Sequence, residues 1–374
     1  MKDDVFNWAL GNRCDKLVSK ETLNHPQLIE MVSGMNVYQH TAQTYLRAYR
    51  ALGIDLINRV PTEKASRTQL TKDQKKHLRN YSFEKLGVYD TAYRHTYLCE
   101  NPQQVWQIDV DALKYEELIT PVPHPCTAQD IQLRQAHLDD IGLYYPMLYT
   151  TVFMWAVEML GWEAFMIAAM QEADRFHNHF IAPLAEKAIL IVRQIAQNSE
   201  NPLIFIHDDL ADARGPVFPP SWYDDYILPH YEPVIAVARQ YDKKVIMVAD
   251  GNMTHFLPKL VDIGFAGIMC ENPATPFDAV LDFFSPPGKY CIGGIDTSVL
   301  TTGTPDEIYA MVMNVAEKAR DCPGFALSSC GGLHGNIPLE NLKAYFDARS
   351  EIGATPKNWK TYFCEREDTN EIYN

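Results

Sequence analysis

Five apolar runs in the second half of the chain each end in residues able to do chemistry. His207-Asp208-Asp209 follows residues 203–206, and Asp250-Gly251-Asn252 follows residues 245–249. Glu271-Asn272 follows residues 266–270, and Gly293-Gly294-Ile295-Asp296 follows residues 290–292. Cys330-Gly331-Gly332-Leu333-His334 follows residues 325–327. Neighbouring carboxylates can share a metal ion, or drive their pKa values apart for acid and base work. Asp208, Asp209, Asp250 and Glu271 are therefore the candidates for moving a proton or positioning a substrate. His207, Asn252, Asp296 and His334 are candidates for holding a substrate. Cys330 offers a soft thiolate. Plainer readings stand beside these: Asp250 as a helix cap, Cys330 as a small packed thiol, His207 as a solvated neighbour. Cys270 points away from Glu271 by strand alternation and reads as structural.

These groups need a scaffold that gathers them. The runs are of strand length, and helix-like segments separate them at residues 223–241, 254–263, 276–284, 305–320 and 339–352. Strands alternating with helices imply a parallel sheet, whose ligands collect at the carboxyl ends of the strands. Upstream, Val5, Trp8 and Ala9, then Leu28, Ile29 and Val32, recur at helical spacing, Tyr38 to Leu52 reads as another helix, and Ile54-Asp55-Leu56-Ile57 reads as a short strand. Residues 61–85 read as polar helix and loop, and Val105–Val110 alternates as a strand. Residues 127–141, 147–161 and 162–197 read as helices. His177 and His179, at i and i+2, do not share a helix face and read as structural.

Composition removes several classes. The chain has 374 residues, with 33 Lys and Arg against 48 Asp and Glu, for a net charge of -15. Such a chain is poorly suited to nucleic acid or to an anionic membrane surface, both of which select for basic residues. An apolar content of 47% is too high for a disordered chain. Eight cysteines without a CxxC pair make neither a disulfide scaffold nor a zinc finger. The acidic start lacks an apolar signal core, and the apolar stretch 147–170 is interrupted by Glu158 and Glu163, so a cytoplasmic protein is expected. No GxGxxG, GxxxxGK[ST] or GxSxG motif is present.

The second half resembles the uroporphyrinogen decarboxylase superfamily, which includes porphyrinogen decarboxylases and cobalamin-dependent methyltransferases. The resemblance spans residues 140–352. It rests on His207-Asp208-Asp209 with Pro219-Pro220-Ser221-Trp222-Tyr223, on Val245 to Asn252 with Leu257-Pro258 and Gly264, and on Gly293-Gly294-Ile295-Asp296. It continues through Gly303-Thr304-Pro305-Asp306-Glu307-Ile308 and from Cys330 into Asn336-Ile337-Pro338-Leu339-Glu340-Asn341-Leu342. It implies a (β/α)8 TIM barrel with an N-terminal, mainly helical extension. The expected organisation is a helical elaboration over residues 1–100, a barrel over 101–355 and a tail over 356–374.

Within that superfamily the decarboxylases carry an early Arg-Gln-Ala-Gly-Arg segment for the substrate's carboxylates. Here the early basic residues, such as Arg13, Arg47 and Arg50, are scattered. The methyltransferase branch carries a zinc site of His-x-Cys, a Glu one strand later and a final Cys. Glu271 and Cys330 match the last two members, whereas the His-x-Cys pair falls on Val248-Ala249-Asp250. The resemblance thus implies either a harder, oxygen-richer metal site at Asp250, Glu271 and Cys330, helped by His207 or His334, or no metal at all. The expected activity is methyl transfer between a small methylated compound or thiol and a corrinoid carried on a partner protein. The alternatives are decarboxylation of a tetrapyrrole, and a noncatalytic corrinoid- or metabolite-binding barrel.

Overall fold

The computed structural model describes residues 2–12, 14–61, 81–85, 87–94, 97–113 and 127–362, with side chains left aside at 81–85, 90–94 and 362. Cys126, Cys364, most of the polar stretch 61–85 and most of the expected tail lie outside the described residues.

Parallel strands form a closed ring. They are β1 (Val18–Ser19), β2 (Leu56–Ile57), β3 (Met147–Tyr149), β4 (Leu203–His207), β5 (Lys244–Ala249), β6 (Gly267–Cys270), β7 (Tyr290–Gly294) and β8 (Phe325–Ser328). A seven-stranded parallel sheet runs β1-β8-β7-β6-β5-β4-β3. β2 closes the gap: Lys20 bridges Leu56, and Asp55 N donates to Ser19 O at 3.0 Å. On its other side β2 pairs with the two-residue strand Leu143–Tyr144. That strand and β3 occupy one position in the ring, split at Pro146, which has no N–H to give to a ladder. The result is the expected (β/α)8 barrel.

Alternation along the strands separates two cores. Val18, Leu56, Met147, Phe205, Val248, Met269, Ile292 and Ala326 face the barrel interior. Ile206, Met247, Cys270, Cys291 and Leu327 face the surrounding helices. Cys270 therefore lies on the outer face, as its parity predicted. The first helix, α1 (Lys2–Leu10), plugs the amino-terminal end of the barrel with Val5, Trp8 and Ala9. There the Trp8 ring meets Tyr290 edge-on at 5.1 Å, and the Tyr290 hydroxyl donates to Ala9 O at 2.6 Å.

Several sequence expectations are corrected. The first hundred residues are not only an elaboration, because they supply β1 and β2. Each is two residues long and too short to show a period. Val105–Val110 is not a strand, since Pro102–Gln107 forms a 3-10 turn after Asn101. Residues 147–161 begin as β3 and become a helix only at α2 (Val152–Leu160). The expected helix 162–197 is Trp162–Gln171, Ala173–Phe176, a π-helical turn His177–Ile181, and Ala182–Asn198. Residues 223–241 divide into Pro220–Tyr226 and Tyr231–Arg239 around Pro229. Among the described residues no single helix is long and apolar enough to cross a membrane. Val152–Leu160 and Trp162–Gln171 pass only as a pair, bent by 118°.

Candidate functional site

The interior positions one layer above the apolar plug change character. After Phe205 comes His207, after Val248 comes Asp250, after Met269 comes Glu271, and after Val18 comes Lys20. The barrel's carboxyl-terminal mouth is thus lined by ionisable groups because strand parity carries them inward.

His207 and Asp209 form the tightest pair, with Nε2 3.0 Å from the Asp209 Oδ1. His207 is 5% exposed, and the Tyr149 ring stacks on it at 4.6 Å. Burial disfavours an imidazolium, but Asp209, with help from Asp250 and Asp208, pushes His207 up to about 9. Burial also opposes the Asp209 carboxylate, yet the charge and hydrogen bond of His207 hold it below the ordinary range. The same Asp209 Oδ1 accepts the backbone N–H of Asp250 at 2.8 Å, which ties β4 to the end of β5. One ligand atom from each of His207, Asp209 and Asp250 lies within 4.8 Å of the others. Among the described residues this is the group whose donors converge closely enough to hold a metal ion.

Glu271 lies outside that close group, on the next strand end. Burial and the charges of Asp250, Asp209 and Asp296 push it up to about 7. Cys330 adopts a φ of 52°, and its Sγ contacts the Ile292 carbonyl at 3.7 Å. Burial pushes that thiol up to about 12, against the opposing charge of Lys20. A group with that pKa is a thiol near neutrality. With Val248 and Asp250 standing where the pattern needs His and Cys, the donor set does not fit a thiolate-rich zinc site.

The other expected residues have local roles. Asp208 is fully buried on the opposite face of β4. Its carboxylate accepts from Phe153 N at 3.0 Å, Met154 N at 2.7 Å and the Tyr231 hydroxyl at 2.7 Å. It caps the start of α2. Burial pushes it up to about 6. Asp296 caps Thr297–Thr302, accepting from Ser298 N at 2.8 Å. Asn252 is fixed by Asp212, whose carbonyl accepts its N–H at 2.8 Å. His334 Nδ1 accepts from Asn336 N at 3.3 Å, and burial lowers its pKa. Gly251 is required where it stands. Its φ is 78°, and a Cβ there would meet the Ala211 carbonyl oxygen at 2.4 Å.

Two buried charged residues just after β1 escaped the sequence reading, one facing the mouth and one the surrounding helices. Lys20 is 2% exposed, and its Nζ donates to Thr22 Oγ1 at 3.2 Å. Burial lowers its pKa, while Cys330, Glu21 and Asp250 pull it back up. Glu21 is fully buried beside Arg349. The available signal was a charged pair, Lys20-Glu21, set between Val18 and Leu23.

No curated protein matches the sequence. Residues 150–352 match the model of the uroporphyrinogen decarboxylase (URO-D) family. A methyltransferase from Methanosarcina mazei superposes with a TM-score of 0.64 at 16% identity, over 94% of this chain and 98% of that one. A D-psicose 3-epimerase is far more distant, with a TM-score of 0.39 at 8% identity over 68% of this chain and 88% of that one. The matched segment carries β4 to β8 and every candidate residue from His207 to His334, and this chain belongs to the uroporphyrinogen decarboxylase family.

Proposed function

We propose that the chain is a methyltransferase, moving a methyl group between a small methylated compound or thiol and a corrinoid carried on a partner protein. The observation that carries this reading is the sign of the mouth. Asp209, Asp250 and Asp296 all raise the pKa of Glu271 by their charge, and among the described residues the buried cationic groups Lys20 and His207 face them without outnumbering them. Such a mouth repels a polycarboxylate tetrapyrrole and tolerates a small neutral or cationic methyl donor. Family membership and the likeness of nearly the whole chain to a methyltransferase barrel support the same reading. A cytoplasmic setting accords with the free thiols Cys270, Cys291 and Cys322, buried outside the barrel.

The corrinoid supplies the centre that exchanges the methyl group. The chain's residues supply the rest. Glu271 holds a proton for the heteroatom that leaves, or takes one from a thiol that attacks, and a pKa near 7 suits both directions. His207 and Asp209 fix the neighbouring wall of the mouth. No step passes through zinc.

Incubation with a corrinoid protein and a panel of methylated compounds, followed by the corrinoid visible spectrum, tests the proposal. Methylation of the corrinoid, slowed about 10²- to 10⁴-fold in Glu271→Gln, is expected. Conversion of uroporphyrinogen to coproporphyrinogen, without methyl transfer, would overturn it in favour of a decarboxylase.

A further inference from the structure

We infer that His207, Asp209 and Asp250 form an open site for an oxygen-preferring divalent cation of the manganese class. These are not the three ligands that the family pattern predicts. Only Asp250 is common to both sets, and sulfur is absent from this one.

The geometry is built rather than incidental. An octahedral ion with ligands at about 2.1 Å has neighbouring donors about 3.0 Å apart and opposite donors about 4.2 Å apart. The His207 Nε2 to Asp209 Oδ1 separation is 3.0 Å, the spacing of neighbouring ligands, and one donor atom from each of the three residues lies within 4.8 Å of the others, a group looser than a closed octahedral shell. The imidazole is more than nine-tenths buried and aims Nε2 into the group, where a bound ion would replace the proton that it shares with Asp209, while its Nδ1, on the far side of the ring, has no hydrogen-bond partner. Its orientation is set by the Tyr149 ring. Asp209 is oriented by the Asp250 N–H, the kind of supporting contact that metal ligands use. Asp250 is exposed and makes no ion pair among the described residues, so the third ligand stands at the open edge of the mouth. Three protein donors leave room for water or a substrate heteroatom.

The donor chemistry selects the ion. Two carboxylates and one imidazole favour manganese-like cations that keep water ligands, over soft ions that seek thiolates. Cys330, the sulfur of the family pattern, rests against the Ile292 carbonyl and is not a member of the close group. The inference shares its location with the proposed methyl-transfer site, but its test needs neither corrinoid nor methyl donor. Failure of one reading is therefore distinguishable from failure of the other.

The test titrates the chelator-treated chain with Mn2+, following free ion by electron paramagnetic resonance. A Co2+ absorption spectrum is recorded in parallel. We expect one equivalent of Mn2+ bound, affinity lowered at least about tenfold in both Asp209→Asn and Asp250→Asn, and no change in Cys330→Ser. The Co2+ form should lack thiolate-to-metal charge transfer. Asp250 is exposed, so its variant remains folded if Asp209→Asn does not. No Mn2+ binding by wild type would overturn the inference, as would undiminished binding in Asp250→Asn. So would Co2+ thiolate absorption that disappears in Cys330→Ser.

Discussion

Glu21 and Arg349 meet at 3.0 Å with both side chains fully buried, joining the end of β1 to the last long helix, Leu339–Glu351. The Glu21 carboxylate also accepts from the Ser329 hydroxyl at 2.6 Å and from the Tyr345 hydroxyl at 2.5 Å. Arg349 Nε donates to Thr355 Oγ1 at 3.0 Å. Every strong polar group in this knot is partnered, which is the condition for burying a charge pair. It also holds Lys20 in place, because Lys20 precedes Glu21 on the same short segment.

Removing one partner leaves the other charge buried and alone. Arg349→Met should therefore cost about 3–5 kcal/mol of unfolding free energy. The double variant Glu21→Gln with Arg349→Met should cost less than the two single changes added together. Urea unfolding monitored by circular dichroism checks this. Single variants within about 0.5 kcal/mol of wild type would show that the pair is idle.

Asp208 offers a second stability test. Two backbone N–H groups of α2 and the Tyr231 hydroxyl converge on its carboxylate. Asp208→Ala removes all three acceptor contacts and should cost about 1–3 kcal/mol. Tyr231→Phe removes one contact and should cost about 0.5–1.5 kcal/mol. Equal losses in the two variants would argue against a capping role.

The two ends of the chain were not equally legible. β4 to β8 are long enough for their apolar runs to show, and parity put Cys270 on the face opposite Glu271. β1 and β2 bury two residues each, and two residues have no period. Their place in the ring comes from long-range pairing, of Val18 with Ala326 and of Leu56 with Leu143. The run His207-Asp208-Asp209 was visible, but its division of labour was not. His207 pairs with Asp209 on one wall of the mouth, while Asp208 is turned onto the start of α2, a helix whose beginning the apolar stretch 147–161 concealed. Lys20 was missed because a charge after a two-residue strand looks like a loop residue.

His177 and His230 supply a pH test. Their Nε2 atoms are 2.9 Å apart, so one ring must donate and the other must accept. Burial and the nearby His177 push His230 down to about 4. An unfolded histidine titrates near about 6.5. Between these values the unfolded chain binds a proton that the folded chain refuses, so stability falls as pH drops from about 6.5 towards 4. Thermal unfolding between pH 7.5 and 5, as order-of-magnitude bounds about the ordinary value, should show a decline that is shallower in His230→Gln. An identical slope in wild type and variant would remove His230 as its source.

Gly251 links backbone strain to the geometry of the mouth. An alanine there meets two penalties: a φ of 78° and a Cβ 2.4 Å from the Ala211 carbonyl oxygen. Gly288 has nearly the same conformation, with a φ of 84°, but nothing lies within 4 Å of its Cβ position. Gly288→Ala therefore isolates the conformational penalty, about 1 kcal/mol. Gly251→Ala adds the clash and should cost about 1–3 kcal/mol more. Relief of that clash must move either the strand Ala211–Asp212 or Asp250, and Asp250 N–H orients Asp209. Mn2+ affinity should consequently fall in Gly251→Ala and stay at the wild-type value in Gly288→Ala. Equal unfolding free energies and equal Mn2+ affinities in the two variants would show that the close approach at Gly251 does not set the position of Asp250.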